Sequence, residues 1–137
     1  MSLFVIGDLH LSFGCSKPMD VFGGRWENYT EKLLEGFSIV RPEDTTVLCG
    51  DLTWGMNYDE AREDFLFIHR LPGRKIILKG NHDYWWTTAT QARRFFAENG
   101  IDSIDELSAR AIHSIHSVSI MQEGTCMRVT ISCCLNV

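Results

Sequence analysis

Three short apolar runs, at 3–7, 45–49 and 75–79, each lead straight into a polar cluster containing a glycine, and this repetition constrains the chain most. The clusters are Gly7-Asp8-Leu9-His10, Gly50-Asp51-Leu52 and Gly80-Asn81-His82-Asp83. Short apolar, partly β-branched runs that stop abruptly read as buried strands. The segments between them have helical spacing. Trp26, Tyr29, Leu33 and Phe37 predict a helix over 25–39. Tyr58, Ala61, Phe65 and Ile68 predict one over 57–70, with Asp59 and Glu60 matching the positive helix start. Ala92, Phe95 and Phe96 predict one over 88–99, closed by Gly100. The Gly-rich stretch 12–24 reads as a loop. Alternation of strand and helix predicts an α/β fold with a parallel sheet and right-handed crossovers. Such sheets bind ligands beyond the carboxyl ends of their strands, so three clusters distant in sequence can share one site.

The residue types in these clusters point to metal chemistry. In an extended segment residues two apart point the same way, so Asp8 and His10 can offer an oxygen and a nitrogen to one cation. Below Asp51, Gly50 allows a sharp turn. The Asp51 carboxylate has two oxygens, enough to bridge two cations about 3.5–4 Å apart. Asn81 offers a neutral carbonyl oxygen, His82 an imidazole nearby, and Asp83 an acid able to fix that ring in one tautomer. Each piece alone has a plainer reading as a turn or a helix cap. The three in this order, each after a buried strand, are hard to obtain by chance.

Gly7-Asp8-Leu9-His10, Gly50-Asp51-Leu52 and Gly80-Asn81-His82-Asp83 together resemble the calcineurin-like metallophosphoesterase signature: D-x-H, then G-D, then G-N-H-D. The resemblance covers roughly residues 3 to 100. Phe22-Gly23-Gly24-Arg25-Trp26-Glu27-Asn28-Tyr29 and Asp83-Tyr84-Trp85-Trp86 resemble a bacterial subgroup of predicted phosphohydrolases. The resemblance implies part of a four-layer αββα sandwich with the C-terminal half missing or incomplete. It implies two divalent metal ions: Asp8 and His10 on the first, Asp51 bridging, Asn81 on the second. His82 would contact the scissile phosphate, with Asp83 beside it as the other catalytic candidate. Manganese, iron and zinc all suit mixed oxygen and nitrogen donors. The implied activity is phosphoester hydrolysis by a metal-activated water. The family pattern goes on to a separate metal-binding His and a G-H-x-H motif, and neither can be placed here. The competing expectation is a catalytically inactive fragment that at most binds a metal or a partner.

Composition bounds the partners. The 137 residues carry 18 acidic and 13 basic side chains, a net charge of -5, which argues against a general nucleic-acid or anionic-membrane binder. No stretch approaches the roughly 20 apolar residues of a membrane span, and the start lacks the basic region of a signal peptide. Five cysteines without regular spacing do not read as a disulfide framework. A cytoplasmic setting is the expectation.

Other residues carry a functional reading beside a plainer one. Trp54, Trp85 and Trp86 could stack on an aromatic substrate or line a core. Arg25 and Lys79 could bind phosphate or be surface charge. His69 reads as structural. In the tail, His113, His116, Cys126, Cys133 and Cys134 could supply ligands, although no C-x-x-C pair supports a zinc site. The sequence predicts a boundary at 104. Residues 1–104 form the N-terminal part of a metallophosphoesterase domain. Residues 105–137 form an atypical tail, truncated or read in a shifted frame, with one possible strand over 127–132.

Overall fold

The computed structural model describes residues 2–106 and 127–129. Four strands run parallel: β1 (Leu3–Ile6), β2 (Thr45–Leu48), β3 (Arg74–Ile77) and β4 (Ile104–Glu106). A fifth, β5 (Met127–Val129), pairs antiparallel with β1. The sheet order is β4-β3-β2-β1-β5. Among the described residues this is one sheet, the α/β half of the expected sandwich.

Register explains where the core sits. Phe4, Thr46, Lys75 and Ile104 are cross-strand partners, as are Ile6, Leu48 and Ile77 in the next row. The two rows lie two residues apart along each strand and therefore share one face. Phe4, Leu48, Ile77 and Ile104 pack there with Phe37, Phe65, Ile68, Phe95 and Phe96. These last five come from α1 (Tyr29–Phe37), α2 (Tyr58–Arg70) and α3 (Ala89–Glu98). A strand order that never reverses from β1 to β4, with right-handed crossovers, places all three helices on that face.

Local chemistry sets the helix ends. The Asn57 side chain accepts from the Glu60 N–H at 3.0 Å at the start of α2. Thr88 does the same for Gln91 at 3.2 Å at the start of α3. Beyond the far end of α2, Lys75 reaches back from β3. Its ammonium donates to the carbonyls of His69, Leu71 and Gly73 at 2.7–3.2 Å. Burial pulls this amine down to about 8.

One expectation changes. The helix expected from residue 25 starts only at Tyr29, because Asn28 is left-handed (φ 52) and breaks the helical run. Short 3₁₀ turns at Met19–Phe22 and Gly24–Trp26 precede it. A strand also occupies Ile104–Glu106, across the expected boundary. Among the described residues it is an edge strand, held by pairing with β3, with an exposed Arg74–Asp105 ion pair at 2.7 Å beside it. Of the strand expected over 127–132, Met127–Val129 is formed. His113, His116, Cys126, Cys133 and Cys134 lie outside the described residues.

Candidate metal centre

Because β1, β2 and β3 are neighbours, the chain leaving each arrives beside the others. The ladder continues past the strand ends: Asp8 N–H donates to Gly50 at 3.1 Å, His10 N–H to Asp51 at 2.9 Å and Leu11 N–H to Leu52 at 3.0 Å. The backbone is nevertheless turned. Among the described residues the non-glycine positive φ values belong to Asp8 (55°), His10 (45°), Asp51 (51°) and Asn28 (52°). Asp8 and His10 therefore do not share a direction through strand alternation, as the sequence suggested. β1 stops at Ile6, and the left-handed turns aim their side chains. Each such residue costs about 1–2 kcal/mol, and strain of this kind collects at functional sites.

The result is a group of three. Ligand atoms of Asp8, His10 and Asp51 all lie within 4.8 Å of one another. His10 Nε2 is 3.7 Å from Asp8 Oδ1. Its Nδ1 is buried without a hydrogen-bond partner. Burial pushes the His10 imidazole below its usual range, against the pull of Asp51 and Asp8. For Asp51, burial pushes the carboxyl up, but the hydrogen bonds and charge of His82 outweigh it, and the net direction is down. Asp51 Oδ1 accepts from the His82 backbone N–H at 2.9 Å, and Oδ2 lies 3.0 Å from His82 Nδ1. The Asn81 amide nitrogen is 3.1 Å from the same ring nitrogen.

Glycines make this proximity possible. A Cβ on Gly50 would lie 2.5 Å from the Gly80 nitrogen, and one on Gly80 would overlap the Asp51 carboxylate and backbone nitrogen. Asp83 locks the same junction. Its Oδ2 accepts from the N–H groups of Asp51 at 2.8 Å and Gly80 at 2.7 Å. Its Oδ1 accepts from Leu52 N–H at 2.9 Å and Trp85 Nε1 at 3.0 Å. Here the structure corrects the sequence reading: Asp83 does not hold the His82 ring. Four donors occupy its carboxylate, and the ring is contacted by Asp51 instead.

Aromatic rings wall the site. Trp54 stacks on His10 with centroids 5.0 Å apart and planes 20° apart. The Trp26 edge meets His10 at 5.9 Å, and Tyr84 meets His82 at 6.2 Å. Trp85 and Trp86 are buried in the core, leaving Trp54 as the stacking candidate that borders the site. Lys79 is exposed. His69 Nδ1 pairs with Ser103 Oγ at 2.8 Å, away from the three ligands. Trp26 was missed as a site residue because only the 3₁₀ turn, invisible in the sequence, brings it to His10.

The calcineurin-like phosphoesterase family model matches residues 1–128. The chain belongs to this family. A calcineurin-like phosphoesterase acts on phosphoesters with the help of divalent metal ions. The three converging side chains of Asp8, His10 and Asp51, with the partnerless Nδ1 of His10, could hold such an ion. No curated protein matches the chain. Among solved structures it is similar to the protein of unknown function AQ665 from Aquifex aeolicus. The two share 24% identity with a TM-score of 0.49, over 76% of this chain and 50% of that one. The chain thus spans about half the length of the solved chain it matches.

Proposed function

We propose that the chain is a two-metal phosphoester hydrolase in which Asp8 and His10 hold one cation, Asp51 bridges, and Asn81 holds the other. The observation that carries this reading is the convergence of Asp8, His10 and Asp51 within 4.8 Å at the ends of adjacent parallel strands. Divalent cations held by these residues would lower the pKa of a bound water and offset charge on the phosphoryl oxygens. Manganese, iron and zinc all suit the donors.

The remaining work falls to side chains. With Nδ1 donating to Asp51 at 3.0 Å, the neutral His82 ring keeps its lone pair on Nε2. In its protonated form the ring carries a proton there for a leaving-group oxygen. Asp83 acts through its backbone contacts, keeping Asp51 and Gly80 in place. Trp54 holds the His10 ring by its face. Among the described residues no helix is long and apolar enough to cross a membrane. The substrate is a phosphoester, mono- or diester.

Among the described residues, Asp8, His10 and Asp51 would give one cation three protein ligands, and Asp51 and Asn81 would give the other two. The competing reading, an inactive fragment that binds a metal or a partner, differs in showing no turnover at all. Release of aryl alcohol from aryl phosphate mono- and diesters, with and without added Mn²⁺, separates the two. Metal-dependent release that EDTA and Asp51→Asn both abolish is the expected result, and none from a chain shown to have bound Mn²⁺ rejects the enzyme reading.

The tail proposal is tested on the gene. Residues through 128 match the family and Met127–Val129 joins the sheet. If neither alternative frame beyond codon 104 encodes a glycine-rich strand followed later by G-H-x-H, the shifted-frame origin is rejected.

A further inference from the structure

Asp64 is an acid fully excluded from solvent, midway along α2, on the inward stripe Ala61, Asp64, Phe65 and Ile68. An apolar residue there would avoid the desolvation of a carboxyl group. The carboxylate is instead divided between two loops. Oδ1 accepts from the Phe13 backbone N–H at 2.7 Å, and Oδ2 from the Thr53 hydroxyl. That hydroxyl accepts in turn from Gly55 N–H at 2.9 Å. Phe13 lies three residues beyond His10 and Thr53 two beyond Asp51.

These are the loops that carry the metal ligands. They run side by side, with Leu11 and Thr53 in a parallel bridge and Trp54 N–H donating to Leu11 at 2.8 Å. Both press against the first turn of α2. An added Cβ at Gly14 would overlap the Glu60 carbonyl, and one at Gly55 would lie 2.7 Å from the Ala61 nitrogen. Asp64 thus grips both loops just past the ligands, on the side away from the strands.

We propose that Asp64 is a positioning residue of the metal centre: from α2 it fixes the outer ends of the two loops and so sets the spacing of His10 and Asp51. This rests on the metal reading above. With both ends of each loop anchored, the left-handed backbone at His10 and Asp51 is held without help from a cation. Without Asp64 the loops are anchored on the strand side only, and the ligand spacing spreads.

The test is Mn²⁺ binding by the 137-residue chain, read by electron paramagnetic resonance where circular dichroism shows each variant fully folded. Asp64→Asn keeps an oxygen for the Phe13 N–H and offers an N–H to the Thr53 hydroxyl, so affinity stays within about 3-fold of wild type. Asp64→Ala removes both ties, and affinity falls about 10-fold or more, with broadened lines from the bound ion. Thr53→Val cuts one tie at nearly constant volume and gives an intermediate loss; it carries the test should Asp64→Ala not fold. Global stability alone does not move an affinity measured on fully folded protein. Wild-type affinity in Asp64→Ala, or in Thr53→Val in its place, overturns the positioning role and leaves the metal reading standing. Equal losses in Asp64→Asn and Asp64→Ala overturn it too, because the effect would then follow charge rather than the ties. A wild-type chain that binds no Mn²⁺ overturns both readings.

Discussion

Replacing Asp83 by alanine should be among the most damaging single changes to this fold, although the residue sits at a loop beside a surface site. Its carboxylate accepts from three backbone N–H groups and one indole N–H at 2.7–3.0 Å. Asp51, Leu52 and Trp85 are buried, so their donors have no ready access to water once the carboxylate is gone. A buried donor left unsatisfied costs about 1–3 kcal/mol. Three such donors, with some relief from water entering the vacated space, give a loss of roughly 3–5 kcal/mol. That is a large share of the ~5–15 kcal/mol that holds a typical domain together. Asp83→Asn should be little better. Each carboxylate oxygen accepts from two N–H donors, so the amide nitrogen faces two donors whichever way it turns. Urea denaturation of wild type, Asp83→Ala and Asp83→Asn, followed by tryptophan fluorescence, measures both differences. A loss under about 1 kcal/mol in Asp83→Ala would refute the reasoning, since it would mean that these donors find other partners at little cost.

Asp64 gives a pH signature: burial raises its carboxyl to about 6 in the folded chain. Its stabilising contribution is therefore complete below the unfolded value of about 3.9 and is lost as pH rises through about 6, some 3 kcal/mol in all. Denaturation of wild type and Asp64→Asn between pH 4 and 7 should show this slope in wild type alone; parallel curves would contradict it. Gly80→Ala should destabilise the chain by about 1–3 kcal/mol by overpacking and should abolish Mn²⁺ binding, because the new methyl overlaps Asp51. Calorimetric titration checks it, and unchanged binding would show that the two loops can part. Asp51→Asn should lower the metal content found by elemental analysis, whereas His82→Ala should keep the metal and slow turnover; equal content in Asp51→Asn and wild type contradicts bridging.

The parts that were legible in the sequence are those governed by local pattern. β1, β2 and β3 are short apolar runs, and α2 and α3 carry apolar stripes behind Asn57 and Thr88. The meeting of Asp8, His10 and Asp51 followed from strand order. What escaped depends on contacts between distant segments. β4 has one buried apolar residue in three and exists through its neighbour. The left-handed turns at Asp8, His10 and Asp51 carry residues that do not require them. The partners of Asp83 include N–H groups 31 and 32 positions away, so nothing near it in sequence shows that its oxygens are already taken. Asp64 could have been found, because an acid interrupting an apolar stripe is visible before any fold is known.

The left-handed backbone at Asp8 sets function against robustness in a way that directed evolution would expose. Asp8 is largely open to solvent and touches His10 only at 3.7 Å, so little in the fold depends on its side chain. Glycine would adopt the same turn without the steric cost. A library screened for heat resistance alone would accordingly drift toward glycine at this position and discard the proposed metal ligand while improving by its own measure. On the proposed function, enriching Asp8 back would require passaging under a demand for phosphate release, so the residue registers which pressure a population has experienced.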